Sequence, residues 1–445
     1  MDIQITSELL NSFSKDYRSN AVKLVATCAF ASTSMTDLCN DPERSARMQF
    51  KFSVDNPTMK ATSQNHSGRC WLFAATNVLR EIIAKKKNLE EFELSQSYLA
   101  FWDKFERCNY MLEAAIETAE LPIDDRIVCH LLKDNVPVHD GGQWDMFVNI
   151  VNKYGIVPKD VMPETFQSSD TKNVNGELAR YMRKAAIELR SAVHSKADDK
   201  QIRDIKEKYL CNAYGFLCEC YMEPPKSFDF EYVTKDKEYK IEKGYTPLSF
   251  KEAMIGDMLD EYVGLINAPT EDKPYDRMYT VKYLGNVVGG NIVKYLNLPM
   301  DEIKRIMVQS LKDGNIIWFG SDCGKNGNRT TKVWDDKNFD LYPLTGMDCT
   351  MSKAEMLDYG VSKMNHAMVI TGVNLDNDIP NRWKIENSWG PEGANGGYHV
   401  ASNGWIDKFV YQIVVKKEYL GEKAALLDQK PIELAPWDPM GSLAD

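Results

Sequence analysis

The chain has 445 residues, of which 43% are hydrophobic, 11% aromatic and 27% charged, the composition of a folded protein rather than a disordered one. Its 54 basic and 65 acidic residues leave a net charge of −11, which argues against nucleic acid as the main partner, since duplex binding rests on phosphate neutralisation by Lys and Arg. No stretch offers the ~18–20 uninterrupted apolar residues that span a bilayer; with no signal peptide and ten irregularly spaced cysteines, reduced thiols in a cytosolic protein are expected.

Residues 7–29 read as one helix, with Leu9, Leu10, Phe13, Tyr17, Val22 and Leu24 on one face. Asn56-Pro57 marks an extended segment and turn. A strong helix begins at Cys70, with Trp71, Ala75, Val78, Leu79 and Ile82 on one stripe. Lys85-Lys86-Lys87 in its last turn suit the dipole and read as a solvated helix end. Residues 93–119 are helical again, Asp140-Gly141-Gly142 is a turn, and Trp144–Tyr154 is a helix closed by Gly155. Amphipathic helices follow over 176–195 and from Asp198 to Tyr221. Phe228, Phe230 and Tyr232 alternate as a strand. Lys235, Lys237, Lys240 and Lys243 suit an exposed hairpin or loop. A helix from Ser249 leads into a long irregular stretch to about residue 300. Asp301 caps a helix through Leu311. Strands are expected over Asn315–Gly320, His366–Val373, Trp383–Asn387 and Gly397–Val400. Pro431, Pro436 and Pro439 favour an extended tail. Helices come first and strands last, which is α+β organisation.

Cys70 stands in the first turn of its helix, where backbone N–H groups and the dipole favour a thiolate. Gln64 lies six residues upstream; its side-chain amide and the Cys70 N–H together would make an oxyanion hole. Gly68 permits close approach of backbone to substrate. A thiolate needs a base that becomes a proton donor to the leaving amine, and histidines stand at 66, 130, 139, 194, 366 and 399. His366 opens an apolar strand, so its backbone is fixed. Asn387 lies at the end of the next strand, where an amide can hold an imidazole, and Trp389 can shield that hydrogen bond from water. The Cys218/Cys220 pair is poor evidence for zinc.

Gln64, Gly68, Cys70-Trp71, His366-Ala-Met and Asn387-Ser-Trp-Gly resemble the papain-type cysteine peptidase set. Leu94–Leu99, Asp140–Trp144 and Gly396-Gly397-Tyr398 resemble further parts of that fold in the same order. Papain places its Cys and His about 130–150 residues apart. Here the gap is 296 residues (366 − 70). That insertion, Trp318-Phe319-Gly320, Asn365-His366-Ala367-Met368 and the ending Pro436-Trp437-Asp438-Pro439-Met440-Gly441 resemble the bleomycin hydrolase / aminopeptidase C group, over essentially the whole chain.

The resemblance implies a papain-like α+β domain with an N-terminal helical extension (1–59), a helical half (60–165), an inserted region for oligomer contacts (166–300), a β-rich half (301–430) and a tail in the cleft (431–445). It implies an intracellular, cytoplasmic thiol aminopeptidase that forms homohexamers and needs no metal or organic cofactor. Cys70, His366 and Asn387 would be catalytic, Gln64 would serve the oxyanion, and Trp389 would support the pair. Gly141, Gly142 and the Asn365 carbonyl would contact substrate, and the carboxylate of Ala444 or Asp445 would meet the substrate's free amino group. Some members bind nucleic acid through a hook in the insertion; here Asp236, Glu238 and Glu242 dilute the lysines, so peptides with a free N-terminus are the expected partners. Two other readings are an endopeptidase or amidase of the same fold, indifferent to a blocked amine, and a nucleic-acid-binding hexamer whose binding survives loss of Cys70.

Overall fold

A computed structural model describes residues 4–134 and 138–442. The N-terminal segment is two helices rather than one, α1 (Ser7–Ser19) and α2 (Ala21–Phe30). Asn20 breaks them: its backbone is extended, and its side chain accepts the Lys23 N–H at 3.1 Å, capping the second helix. The apolar stripe read from sequence does not face a core. α1 buries no residue, and Leu10, Phe13 and Val25 are exposed.

α3 (Cys70–Lys87), α4 (Gln96–Glu117) and α5 (Trp144–Tyr154) form the helical half. Ser95 caps α4 through the Tyr98 N–H at 3.0 Å. Gly155 ends α5 at φ +80°, and a Cβ there would lie 2.2 Å from the Pro247 backbone, so both conformation and space demand glycine. α6 (Lys172–His194) and the box-capped α7 (Asp199–Tyr221) follow. A hairpin comes next, β1 (Phe228–Val233) with β2 (Tyr239–Tyr245), in which Lys237 and Lys240 pair with Glu90 and Glu238. α8 spans Pro247–Ile255.

The stretch expected to be irregular to about residue 300 instead holds three strands, β3 (Tyr262–Ile266), β4 (Arg277–Val281) and β5 (Lys294–Asn297). They are short and separated by loops rich in Pro, Gly and Asp, so no long alternation announces them. They join α9 (Met300–Lys312), β6 (Ile317–Ser321), β7 (His366–Asp376), β8 (Ile379–Glu386), β9 (Tyr398–Ser402), β10 (Val410–Lys416) and β11 (Ile432–Leu434). Asp301 lies in the first turn of α9, whose cap position is Pro299. One sheet runs β11-β4-β5-β3-β10-β6-β7-β8-β9, continued by the short strands 333–334 and 327–328.

The central strands are buried on both faces, which explains their continuous apolar runs. In β6, Trp318 points into the core shared with α3, α4 and α5, while Ile317 and Phe319 point into a second core under α9. Trp318 Nε1 also donates to the Trp71 carbonyl at 3.2 Å, fastening the sheet to α3. All ten cysteines are free thiols. Among the described residues no helix is long and apolar enough to cross a membrane.

Candidate active site

Cys70 is the first residue of α3, and the helix has no side-chain cap. The N–H groups of its opening turn are therefore left to whatever develops negative charge at the thiol. The side chain is fully buried, and Sγ accepts the Ala367 N–H at 3.4 Å. That contact brings α3 against the first residues of β7, where His366 pairs with Ser321 of β6. His366 Nε2 and Asn387 Oδ1 are 2.9 Å apart. Because Oδ1 also accepts the Ser388 N–H at 2.8 Å, Nε2 carries the proton, and Nδ1 is the nitrogen left for proton exchange. Burial pushes the imidazole pKa down to about 4; the Asn387 hydrogen bond opposes this and the Arg329 charge adds to it. Trp389 lies with its ring centre 5.1 Å from that of His366, tilted by 32°.

Gln64 is tied to the same segment. Its N–H donates to the Ser388 carbonyl at 2.8 Å, and its Oε1 accepts from Ser388 Oγ at 2.7 Å. Nε2 donates one hydrogen to the Ser67 carbonyl at 2.5 Å and has a second for a developing oxyanion. Cys70, His366, Asn387, Gln64 and Trp389 thus come together in space, across segments far apart in sequence.

Gly141 and Gly142 are buried against the nucleophile helix. The Gly141 carbonyl accepts from Arg107 at 2.5 Å and its N–H donates to His139 Nδ1 at 3.1 Å. A Cβ on Gly142 would sit 2.4 Å from the Trp71 indole. Asn365 lines the cavity beside the tail; its side chain donates to Asp322 at 2.6 Å and accepts the Cys323 N–H at 3.1 Å.

Beside the site a cavity of about 1050 Å³ is walled by Gly68, Asp140 and Asn365 on one side and the tail, Pro436 to Ser442, on the other. The tail leaves β11, which pairs in parallel with β4. Arg126 covers the Trp437 ring at 3.6 Å, Lys273 pairs with Asp438 at 2.9 Å, and Gln143 Nε2 donates to the Ser442 carbonyl at 2.9 Å. Leu443, Ala444 and Asp445 lie outside the described residues.

Three further residues support the site. Asp140 accepts the Gly68 N–H at 2.9 Å, Lys104 Nζ at 2.6 Å and Thr171 Oγ1 at 2.5 Å. Burial pushes this carboxyl up, but Lys104 and the hydrogen bonds outweigh it and hold the pKa well below the usual carboxylate range. The charge beside Gly141 was a signal; its partner Lys104, on another helix, was not. Glu386, next to Asn387, accepts from Arg80 at 2.6 Å and Asn77 at 2.8 Å, joining β8 to α3. Burial raises its pKa to about 7 against the pull of Arg80. Ser388 holds Gln64, as described.

The chain matches the Peptidase C1-like family over residues 4–441. It is 46% identical to "Aminopeptidase C" of Listeria innocua serovar 6a, with 100% of each chain covered. It is 42% identical to "Aminopeptidase C" of Lactobacillus delbrueckii subsp. lactis, with 100% of this chain and 99% of the relative covered. The crystal structure of PepW from Lactobacillus rhamnosis HN001 superimposes with a TM-score of 0.97 at 44% identity, each chain covered completely.

Proposed function

The chain belongs to the Peptidase C1-like family, with its papain-like α+β fold, and is a cysteine-type aminopeptidase; from that premise we propose that it removes N-terminal residues from peptides, with broad side-chain tolerance, through Cys70, His366 and Asn387. His366 Nδ1 takes the Cys70 thiol proton as the sulfur attacks the carbonyl of the first residue, forming a C–S bond. Negative charge moves to the carbonyl oxygen, between the Gln64 amide and the Cys70 N–H. The tetrahedral adduct collapses as His366 gives its Nδ1 proton to the departing amine. His366 then takes a proton from water, whose oxygen attacks the thioester and releases the acid. Asn387 keeps Nε2 engaged and so fixes which nitrogen does this.

The observation that carries the reading is the junction of the uncapped α3 N-terminus, through Ala367, with the His366–Asn387 pair. The amino-end specificity rests on the tail. A cleft open at both ends cuts internal bonds, whereas a chain end seated there blocks one end. Beyond Ser442, the three remaining residues can extend roughly 10 Å, and their terminal carboxylate would pair with an α-ammonium in a sheltered site. A homohexamer completes the proposal, with the exposed apolar residues of α1 and α2 and the 166–300 region as contact surfaces; light scattering should give a mass near six chains.

The test is hydrolysis of matched fluorogenic amino-acid amides, one free and one N-acetylated, by wild type and Cys70→Ala in reducing buffer. Cleavage of the free-amine substrate alone, abolished in the variant, is the expected result. Equal cleavage of both removes the carboxylate anchor, and activity surviving in Cys70→Ala removes the thiol mechanism.

A further inference from the structure

Acyl transfer accounts for the tail side of the imidazole and leaves the other side unused. Residues 323–334 read Cys-Gly-Lys-Asn-Gly-Asn-Arg-Thr-Thr-Lys-Val-Trp. They hold three cations and no acid in a chain whose net charge is −11. Trp334 fixes one end of the segment by stacking on His399 at 4.2 Å, beside Trp389. Arg329 is exposed, and its guanidinium carbon lies 5.1 Å above the centre of the Trp389 ring. That ring centre is itself 5.1 Å from the His366 ring centre. The guanidinium is therefore no farther from the imidazole than twice that separation. Among the described residues Arg329 has no carboxylate partner, and its recorded contact is the indole face.

The direction of the substrate follows from the chemistry, and this step rests on the proposed thiol mechanism. The amine that departs takes its proton from His366, so the departing chain must run past the imidazole. The tail-lined cavity, where the amino end is proposed to sit, is walled by Gly68 and Asn365, whereas the Trp389 indole packs beside the imidazole and carries the cation Arg329 over its face. One residue of extended chain spans ~3.3–3.6 Å, which puts a carboxylate one or two residues past the cut within reach of a flexible arginine.

We propose that Arg329 binds a carboxylate one or two residues beyond the scissile bond, so that peptides short enough to present their own C-terminus there are preferred substrates. A guanidinium held over an indole face has lost part of its rotamer freedom, and its planar fork matches a carboxylate through two hydrogen bonds. Lys332 adds to the local positive field. The site is open to solvent, so its effect is modest and falls with salt.

The experiment compares kcat/KM for three peptides, Leu-Ala as the free acid, Leu-Ala amide and Leu-Glu amide, at low and high salt. It uses full-length wild type, Arg329→Lys and Arg329→Gln. Wild type should prefer the free acid over the neutral amide by about five- to tenfold at low salt, and less at high salt. Arg329→Lys should keep part of the ratio and Arg329→Gln should bring it to about one. Leu-Glu amide behaving like the free acid supports a site that reads either source of carboxylate; behaving like Leu-Ala amide, it supports one that reads the terminus. A wild type without preference, a ratio preserved in Arg329→Gln, or an equal loss on all three peptides would overturn the proposal. Hydrolysis surviving in Cys70→Ala would instead sink the thiol mechanism, a result read separately from the ratio.

Discussion

In the proposed mechanism the amide of Gln64 serves twice with one nitrogen. One hydrogen fixes the Ser67 carbonyl at 2.5 Å and Ser388 holds the other end of the amide, so the remaining hydrogen is aimed by bonds already in place. Gln64→Ala should lower kcat by about 10²–10³ with little change in KM, the signature of a donor used in the transition state; an unchanged kcat in steady-state assays would remove it from the oxyanion site. Gly142 is fixed by sterics. A methyl there must displace the Trp71 ring, whose Nε1 is bonded to the Asp140 carbonyl at 2.6 Å. Gly142→Ala should therefore cost about 1–3 kcal/mol of stability, read from urea unfolding. These two residues show what was legible. Residue types and their order marked Gln64, Cys70, His366 and Asn387, because the chemistry permits few substitutes. The reason for Gly142 was invisible, because its partner Trp71 is identifiable only once the chain is folded.

At the scale of elements, the long helices were readable because capping and periodicity act within a few residues, as with Ser95 at the head of α4. α1 and α2 were run together because Asn20 interrupts no hydrophobic pattern; it breaks the helix by offering its side chain to the Lys23 N–H. β3, β4 and β5 were lost because each is short and is held by distant partners, β3 by β10 and β4 by β11. The last of these pairings sets the course of the tail. The fasteners beyond it are Lys273 on Asp438 and Gln143 on Ser442. Loosening both with Lys273→Met and Gln143→Ala should raise cleavage of N-acetylated relative to free-amine amides at least about fivefold, because a tail released from the cleft no longer blocks it. An unchanged ratio, with circular dichroism matching wild type, would make these contacts incidental to specificity.

At the scale of the whole molecule, packing two imidazoles in the interior couples stability to pH. Burial lowers the His399 pKa to about 3, with the Lys332 charge adding and a backbone carbonyl at Gly397 opposing, and His366 is lowered to about 4. An unfolded imidazole titrates near 6.5. Below that pH the unfolded chain takes up protons that the folded chain refuses, so stability is full above pH 6.5 and declines as pH falls. For His399 alone the loss should reach about 2 kcal/mol at pH 5. Glu386, raised to about 7, works in the opposite sense, so the test is a difference. Urea midpoints of wild type and His399→Phe between pH 7 and 5 should show the smaller decline in the variant, and parallel declines would show that His399 is hydrated.

The contact between the Ala367 N–H and the Cys70 sulfur spans 297 residues of chain, and that separation has a temporal meaning. During synthesis the thiol emerges early, but its imidazole and the amide that orients the imidazole emerge only near the end. At about 5–20 residues per second the interval is roughly 15–60 s. Through all of it the nascent chain carries the proposed nucleophile without its base, and so cannot cleave itself or its neighbours on the ribosome. The tail follows His366 and Asn387 in the chain, so the proposed catalytic set is synthesised shortly before the segment proposed to close the cleft.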